Sequence, residues 1–134
     1  MKKIFSILLI SMVVISCSKK SDSTSSEFSN KLTLGTGLNS SNLFELTGTG
    51  TSFVVNTYIY FRLESVDDMG GSKVRIKIDK QDGTAYNSID YPNPQSYGHI
   101  FLSSFMITVP GSYKATGILV TGTKTIASVN FTVN

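Results

Sequence analysis

The side chains that could carry out chemistry are few and widely spaced. His99 is the one histidine among 134 residues, and Ser96, Ser103 and Ser104 lie near it in sequence. A serine nucleophile needs a base that is itself held by a buried acid. Asp90 is the only carboxylate near His99 in the chain, so no complete triad can be assembled, and His99 reads as a surface residue at the start of a strand. Asp67 and Asp68 precede Met69-Gly70-Gly71 and offer oxygens to a hard cation. They lack the alternating acidic spacing of a calcium loop and read equally well as turn-forming aspartates. The Gly-x-Gly pairs Gly35/Gly37 and Gly48/Gly50 are followed by no strand-turn-helix pattern, which a phosphate loop requires. Asp79-Lys80-Gln81-Asp82-Gly83 has the composition of a hairpin connection. The expectation is a non-enzymatic chain with no catalytic residue, no metal and no cofactor.

Recognition is better represented. Tyr58, Tyr60 and Arg62 alternate along one strand-like segment, and Lys73, Arg75 and Lys77 along another. Aromatic rings and guanidinium groups offer contact area and planar hydrogen bonding to partners. The competing reading is that tyrosine favours strands and alternating lysines block edge pairing. A second candidate is the loop over residues 91–97, whose two prolines would hold Tyr91 and Tyr97 in place; the competing reading is a corner between sheets. The formal charge of +3 includes Lys2 and Lys3, at the extreme N-terminus. The remainder is close to neutral and gives no electrostatic reason to expect nucleic acid.

These residues are positioned by strands. Over residues 53–64, Phe53, Val55, Thr57, Ile59, Phe61 and Leu63 share one face while Tyr58, Tyr60, Arg62 and Glu64 share the other. Residues 73–78 place Val74, Ile76 and Ile78 inward, and residues 127–133 do the same with Ala127, Val129, Phe131 and Val133. Weaker strands are expected at 31–35, 42–47, 84–90, 99–109 and 113–121, with Gly, Pro and Asp clusters between them. Seven to eight short strands with tight turns predict an all-β, antiparallel sandwich over residues 31–134; a closed barrel is the alternative.

Pro110-Gly111-Ser112-Tyr113 resembles the entry to the penultimate strand of immunoglobulin-like domains, where a tyrosine corner ties the hydroxyl to nearby backbone. The next segment, Gly117-Ile118-Leu119-Val120 with a turn at Gly122 and then residues 126–133, resembles the closing hairpin of bacterial immunoglobulin-like and fibronectin-like modules. The resemblance implies the architecture, with Tyr113 as its structural tyrosine. It does not extend to the inter-sheet cysteines or the strand tryptophan of antibody domains, since the one cysteine is Cys17 and tryptophan is absent.

The N-terminus begins Met1-Lys2-Lys3, continues with an apolar stretch over residues 4–15, and reaches Val14-Ile15-Ser16-Cys17. The stretch is shorter than the roughly 20 apolar residues of a membrane helix and fits a cleaved signal. It resembles the signal and lipobox of bacterial lipoproteins. That resemblance implies a signal peptide over 1–16, lipid on Cys17, and, with Ser18 in place of aspartate, sorting to the outer membrane. The serine-rich run after it, to residue 30, cannot repay chain entropy by burial and reads as a flexible tether. The expected function is therefore a membrane-anchored envelope lipoprotein that binds a protein or glycan. An inhibitor or accessory subunit acting through the 91–97 loop is the alternative, and a small hydrolase is least favoured.

Overall fold

A computed structural model describes residues 27–134; Cys17, the signal segment and most of the expected tether lie outside the described residues. Ten strands follow one another: β1 (Lys31–Gly35), β2 (Gly37–Leu38), β3 (Leu46–Thr47), β4 (Ser52–Phe53), β5 (Tyr58–Glu64), β6 (Lys73–Lys80), β7 (Ala85–Pro92), β8 (Ile100–Met106), β9 (Gly111–Leu119) and β10 (Lys124–Val133). They form a three-stranded sheet in the order β1-β5-β8, a five-stranded sheet in the order β4-β10-β9-β6-β7, and the small ribbon β2-β3. Every pairing is antiparallel except that of β4 with β10.

The core is the layer of alternate side chains between the two large sheets. Leu32 and Leu34 of β1, Ile59, Phe61 and Leu63 of β5, and Phe101 of β8 meet Val74, Ile76 and Ile78 of β6, Tyr113 and Ala115 of β9, and Phe131 and Val133 of β10. All are nearly or wholly inaccessible to solvent, which is the two-residue period of the sequence expressed as burial. The sheets approach closely at Gly117, where a Cβ would fall 2.6 Å from Leu63 Cδ1. A bulge between Thr125 and Ala127 in β10 lets Ile126 join the inner layer as well.

Tyr113 is fully buried, packs against Phe131 and Tyr86, and donates its hydroxyl to the Val109 carbonyl at 2.6 Å. This is the tyrosine-corner geometry, four residues back along the chain. Burial, and next the neighbouring Tyr86, push the Tyr113 phenol above its ordinary value of 10.0. A raised pKa means that the neutral form contributes stability below the unfolded value, and that this contribution is lost as pH climbs through the folded one. Tyr113→Phe is expected to cost about 1 to 2 kcal/mol at neutral pH by removing the hydrogen bond. It should also flatten the alkaline limb of a pH–stability profile, read by denaturant melts between neutrality and strongly alkaline buffer.

Three expectations need correction. Residues 53–64 are not one strand: Ser52–Phe53 belongs to the five-stranded sheet and Tyr58–Glu64 to the other. The chain crosses between sheets at residues 54–57, where Asn56 has φ 60 and Thr57 Oγ1 donates to the Val54 carbonyl at 2.6 Å. Thr57 is consequently exposed instead of inward. Residues 42–45 form a turn, not a strand; Asn42 Oδ1 accepts the Phe44 N–H at 3.1 Å, and only Leu46–Thr47 pairs. Residues 28–30, expected to be tether, are docked on the domain: Ser29 donates through N–H and Oγ to Glu64, and Asn30 Oδ1 accepts the Val66 N–H.

Candidate binding surfaces

The turn that carries the chain from β4 to β5 also builds a cleft of about 500 Å³. It is pinned from behind: Val55 N–H donates to the Asn134 carbonyl at 2.9 Å and Asn56 N–H to the Ile107 carbonyl at 3.0 Å. With its backbone satisfied in this way, the turn can present Val54, 63% exposed, and Tyr58, 58% exposed, to solvent. Phe53 and Tyr60 complete the apolar wall, and the hydroxyl side chains of Thr36, Ser52 and Thr57 line the remainder. No charged side chain lines it. Rings and hydroxyls without charge suit a neutral ligand, whose hydroxyls can exchange hydrogen bonds while its carbon face lies on an aromatic plane.

The remaining sequence candidates do not gather here. Arg62 is spent on the fold: its Nε donates to the Phe44 carbonyl at 2.6 Å and its Nη1 to Glu64 Oε2 at 2.6 Å, and its side chain is 20% exposed. Burial alone would push the Glu64 carboxyl up; the hydrogen bonds from Ser29 and Arg62 outweigh it and hold the group below the ordinary carboxylate value. Thus the 36–51 excursion, through Phe44, lies over part of the face that Tyr60 and Arg62 were expected to present.

Lys73, Arg75 and Lys77 are on β6, in the opposite sheet from Tyr58, Tyr60 and Arg62, and the two rows face away from one another. The two rows therefore form no single surface. Arg75 makes a two-pronged ion pair with Asp90 at 2.5 and 2.9 Å, which raises its pKa and lowers that of Asp90. Lys77 pairs with Asp79 at 2.9 Å. Cross-strand and same-strand carboxylates thus offset two of the three basic groups of the row.

The two tyrosines of the proline-flanked loop are also separated. Tyr91 is a β7 residue that leans on Phe101 with ring centroids 5.7 Å apart, and Tyr97 ends a short 3-10 turn (Gln95–Tyr97) with its ring edge against Phe44 at 5.0 Å. Between them Asn93 is buried, bonding the Ser72 and Gly71 backbone and the Ile100 carbonyl. The segment is a corner that ties the loops together, with no pair of tyrosines held out on prolines.

His99 sits at that same end. Its Nδ1 lies 3.0 Å from the Ser65 carbonyl and its ring stacks on Phe28 at 4.5 Å, 6° from parallel. Asp67 forms an ion pair with Lys124, and Asp68 accepts the Gly70 N–H at 2.8 Å to close its own turn. Among the described residues no group of three or more histidine, cysteine or acidic side chains could hold a metal ion.

The cleft itself was only half visible in the sequence. Tyr58 and Tyr60 stand out there, whereas Val54 and Thr57 are hidden by an alternation that runs through the turn unbroken.

No protein-family model matches the chain, and no curated protein matches it. Among solved structures it is similar to an immunoglobulin-like protein from Pseudomonas aeruginosa, with a TM-score of 0.50 and 13% identity over 78% of this chain and 92% of that one. At that identity the likeness speaks for the fold alone, and with the strand order above it makes this an immunoglobulin-like β-sandwich.

Proposed function

We propose that this chain, an immunoglobulin-like frame carrying an uncharged, aromatic cleft, is a non-enzymatic binding module, lipid-anchored in a bacterial envelope through Cys17. It takes a neutral glycan into the cleft beside Tyr58. The observation that carries the reading is the pairing of exposed Val54 and Tyr58 with three hydroxyl side chains in a cleft free of charge. Isolated exposed apolar residues need no explanation, but a cluster of them in a concave site marks a place where something binds.

Support for the anchor comes from the lipobox-like Val14-Ile15-Ser16-Cys17. Two or more acyl chains make such anchoring durable, at about 0.8 kcal/mol per buried methylene. Ser18 after the cysteine supports the outer membrane as the destination. Cys17→Ser is expected to move the chain from the membrane to the soluble fraction of lysed cells; unchanged fractionation rejects the anchor. Binding is tested by titrating a panel of neutral and acidic oligosaccharides and following tyrosine fluorescence. Saturable responses to neutral sugars alone are expected, and a response restricted to acidic sugars, or none, goes against the proposal.

A further inference from the structure

The two sheets differ in width, and the difference exposes one hydrogen-bonding edge. β1 packs across from β10, and Leu63 of β5 presses on Gly117 of β9. That spacing sets β8 across from β6, so that β7 meets β8 at one end, where Tyr91 leans on Phe101, and overhangs it around Ile89. Burial follows the same line. Ile76 of β6 and Ile89 of β7 are register partners on the inner face, yet Ile76 is 3% exposed and Ile89 38%.

β8 is the edge beside this step. Ser65 N–H donates to the His99 carbonyl at 3.0 Å, which fixes the phase of the ladder. Phe101, Ser103 and Phe105 then turn their backbone groups toward β5, while Leu102, Ser104 and Met106 turn theirs outward. Native sheets block open edges with lysine, proline, inward charge or bulges. Residues 100–106 carry no charged residue, no proline and no glycine, and the β5–β8 register is unbroken. β7, the other edge on this flank, has Asp90, Pro92 and a register shift between Ile78 and Asp79.

We propose that the β8 edge accepts one extended segment of a partner protein as a fourth strand, with alternate apolar side chains packing on Ile89 and Phe105. This site is separate from the Tyr58 cleft, which lies on the other side of β5. A second copy of the chain is a poor occupant for two reasons. Approaching edge to edge, it would bring its own overhanging β7 onto the ground already taken by the first. β8 is also only seven residues, about 23 Å long, with its Ile100 carbonyl already taken by Asn93, and pairing along the rest covers a few hundred Å² a side, less than the roughly 800 Å² per partner of a stable dimer. A single peptide segment meets both conditions, gaining main-chain hydrogen bonds from the edge and specificity from alternate side chains.

The test is hydrogen–deuterium exchange of the full-length chain in detergent, with and without an acetylated, amidated peptide of alternating valine and threonine flanked by lysines. Exchange over residues 100–106 should slow about tenfold or more at saturating peptide. The same peptide N-methylated throughout should give no slowing. Ser104→Pro removes an outward donor without touching the β5 ladder and should abolish the effect; Ile89→Asp, which leaves the backbone intact, should weaken peptide binding about tenfold or more. Absence of slowing with the unmodified peptide, equal slowing with the N-methylated one, full slowing in Ile89→Asp, or concentration-dependent self-pairing through residues 100–106 would each overturn the proposal.

Discussion

Phe61→Ala is expected to lower the stability of the domain by about 4 kcal/mol, the range for emptying a phenylalanine site in a packed interior. Phe61 is 0% exposed at the centre of β5 and stacks on Phe105 with centroids 3.9 Å apart. The strand is hydrogen-bonded on both sides, to β1 and β8, so the backbone has little freedom to collapse into the cavity. A domain of this size has a total stability on the order of 5 to 15 kcal/mol, and the thermal midpoint should fall by about 20 °C. Circular dichroism melts of the parent and variant measure this directly. A fall of only a few degrees would mean that Phe61 is not in the interior layer.

The largest functional effect is expected from Tyr58→Ser. The ring is exposed and borders the cleft, so its loss removes contact area from a ligand while removing little from the core. Central aromatic anchors contribute about 2 kcal/mol or more to recognition, which corresponds to an affinity loss of about 30-fold to 100-fold. The folding transition should move by about 0.5 kcal/mol at most, as for other surface changes. Titration of the bound oligosaccharide beside a melt of the same variant separates the two effects. Arg62 is unsuited to such a test: its replacement would strand the Phe44 carbonyl and the Glu64 carboxylate, and any loss of binding would be entangled with loss of packing.

How far the sequence carried depended on whether the information was local. β1 and the inward row of β6 follow from apolar residues at every second position, and they appear where that period places them. The break between β4 and β5 was invisible because Phe53 and Ile59 keep the same phase on either side of it. Only the positive φ of Asn56 and the anchoring of Val55 by Asn134 reveal that the chain changes sheets. The second of these depends on a residue distant in sequence. Pairing was equally out of reach. Without the strand order, nothing in the sequence says whether the Tyr58 row and the Arg75 row share one face or occupy two. Arg75 also looked available until its neighbour β7 brought Asp90 into register. Phe44, in a segment read as a strand, took Arg62 and Tyr97 out of the candidate surface through contacts 18 and 53 residues away in the chain.

Photo-crosslinking on intact cells is the most direct measurement of the central claim, that this envelope module binds through the cleft beside Tyr58. A benzophenone side chain is introduced at Val54, on the rim of the cleft, and in a parallel strain at Lys114, on the outer face of the opposite sheet. Position 54 is predicted to give a light-dependent, glycan-containing adduct that free neutral oligosaccharide suppresses, and position 114 none. Adducts of equal yield from both positions, or from 114 alone, would contradict the claim.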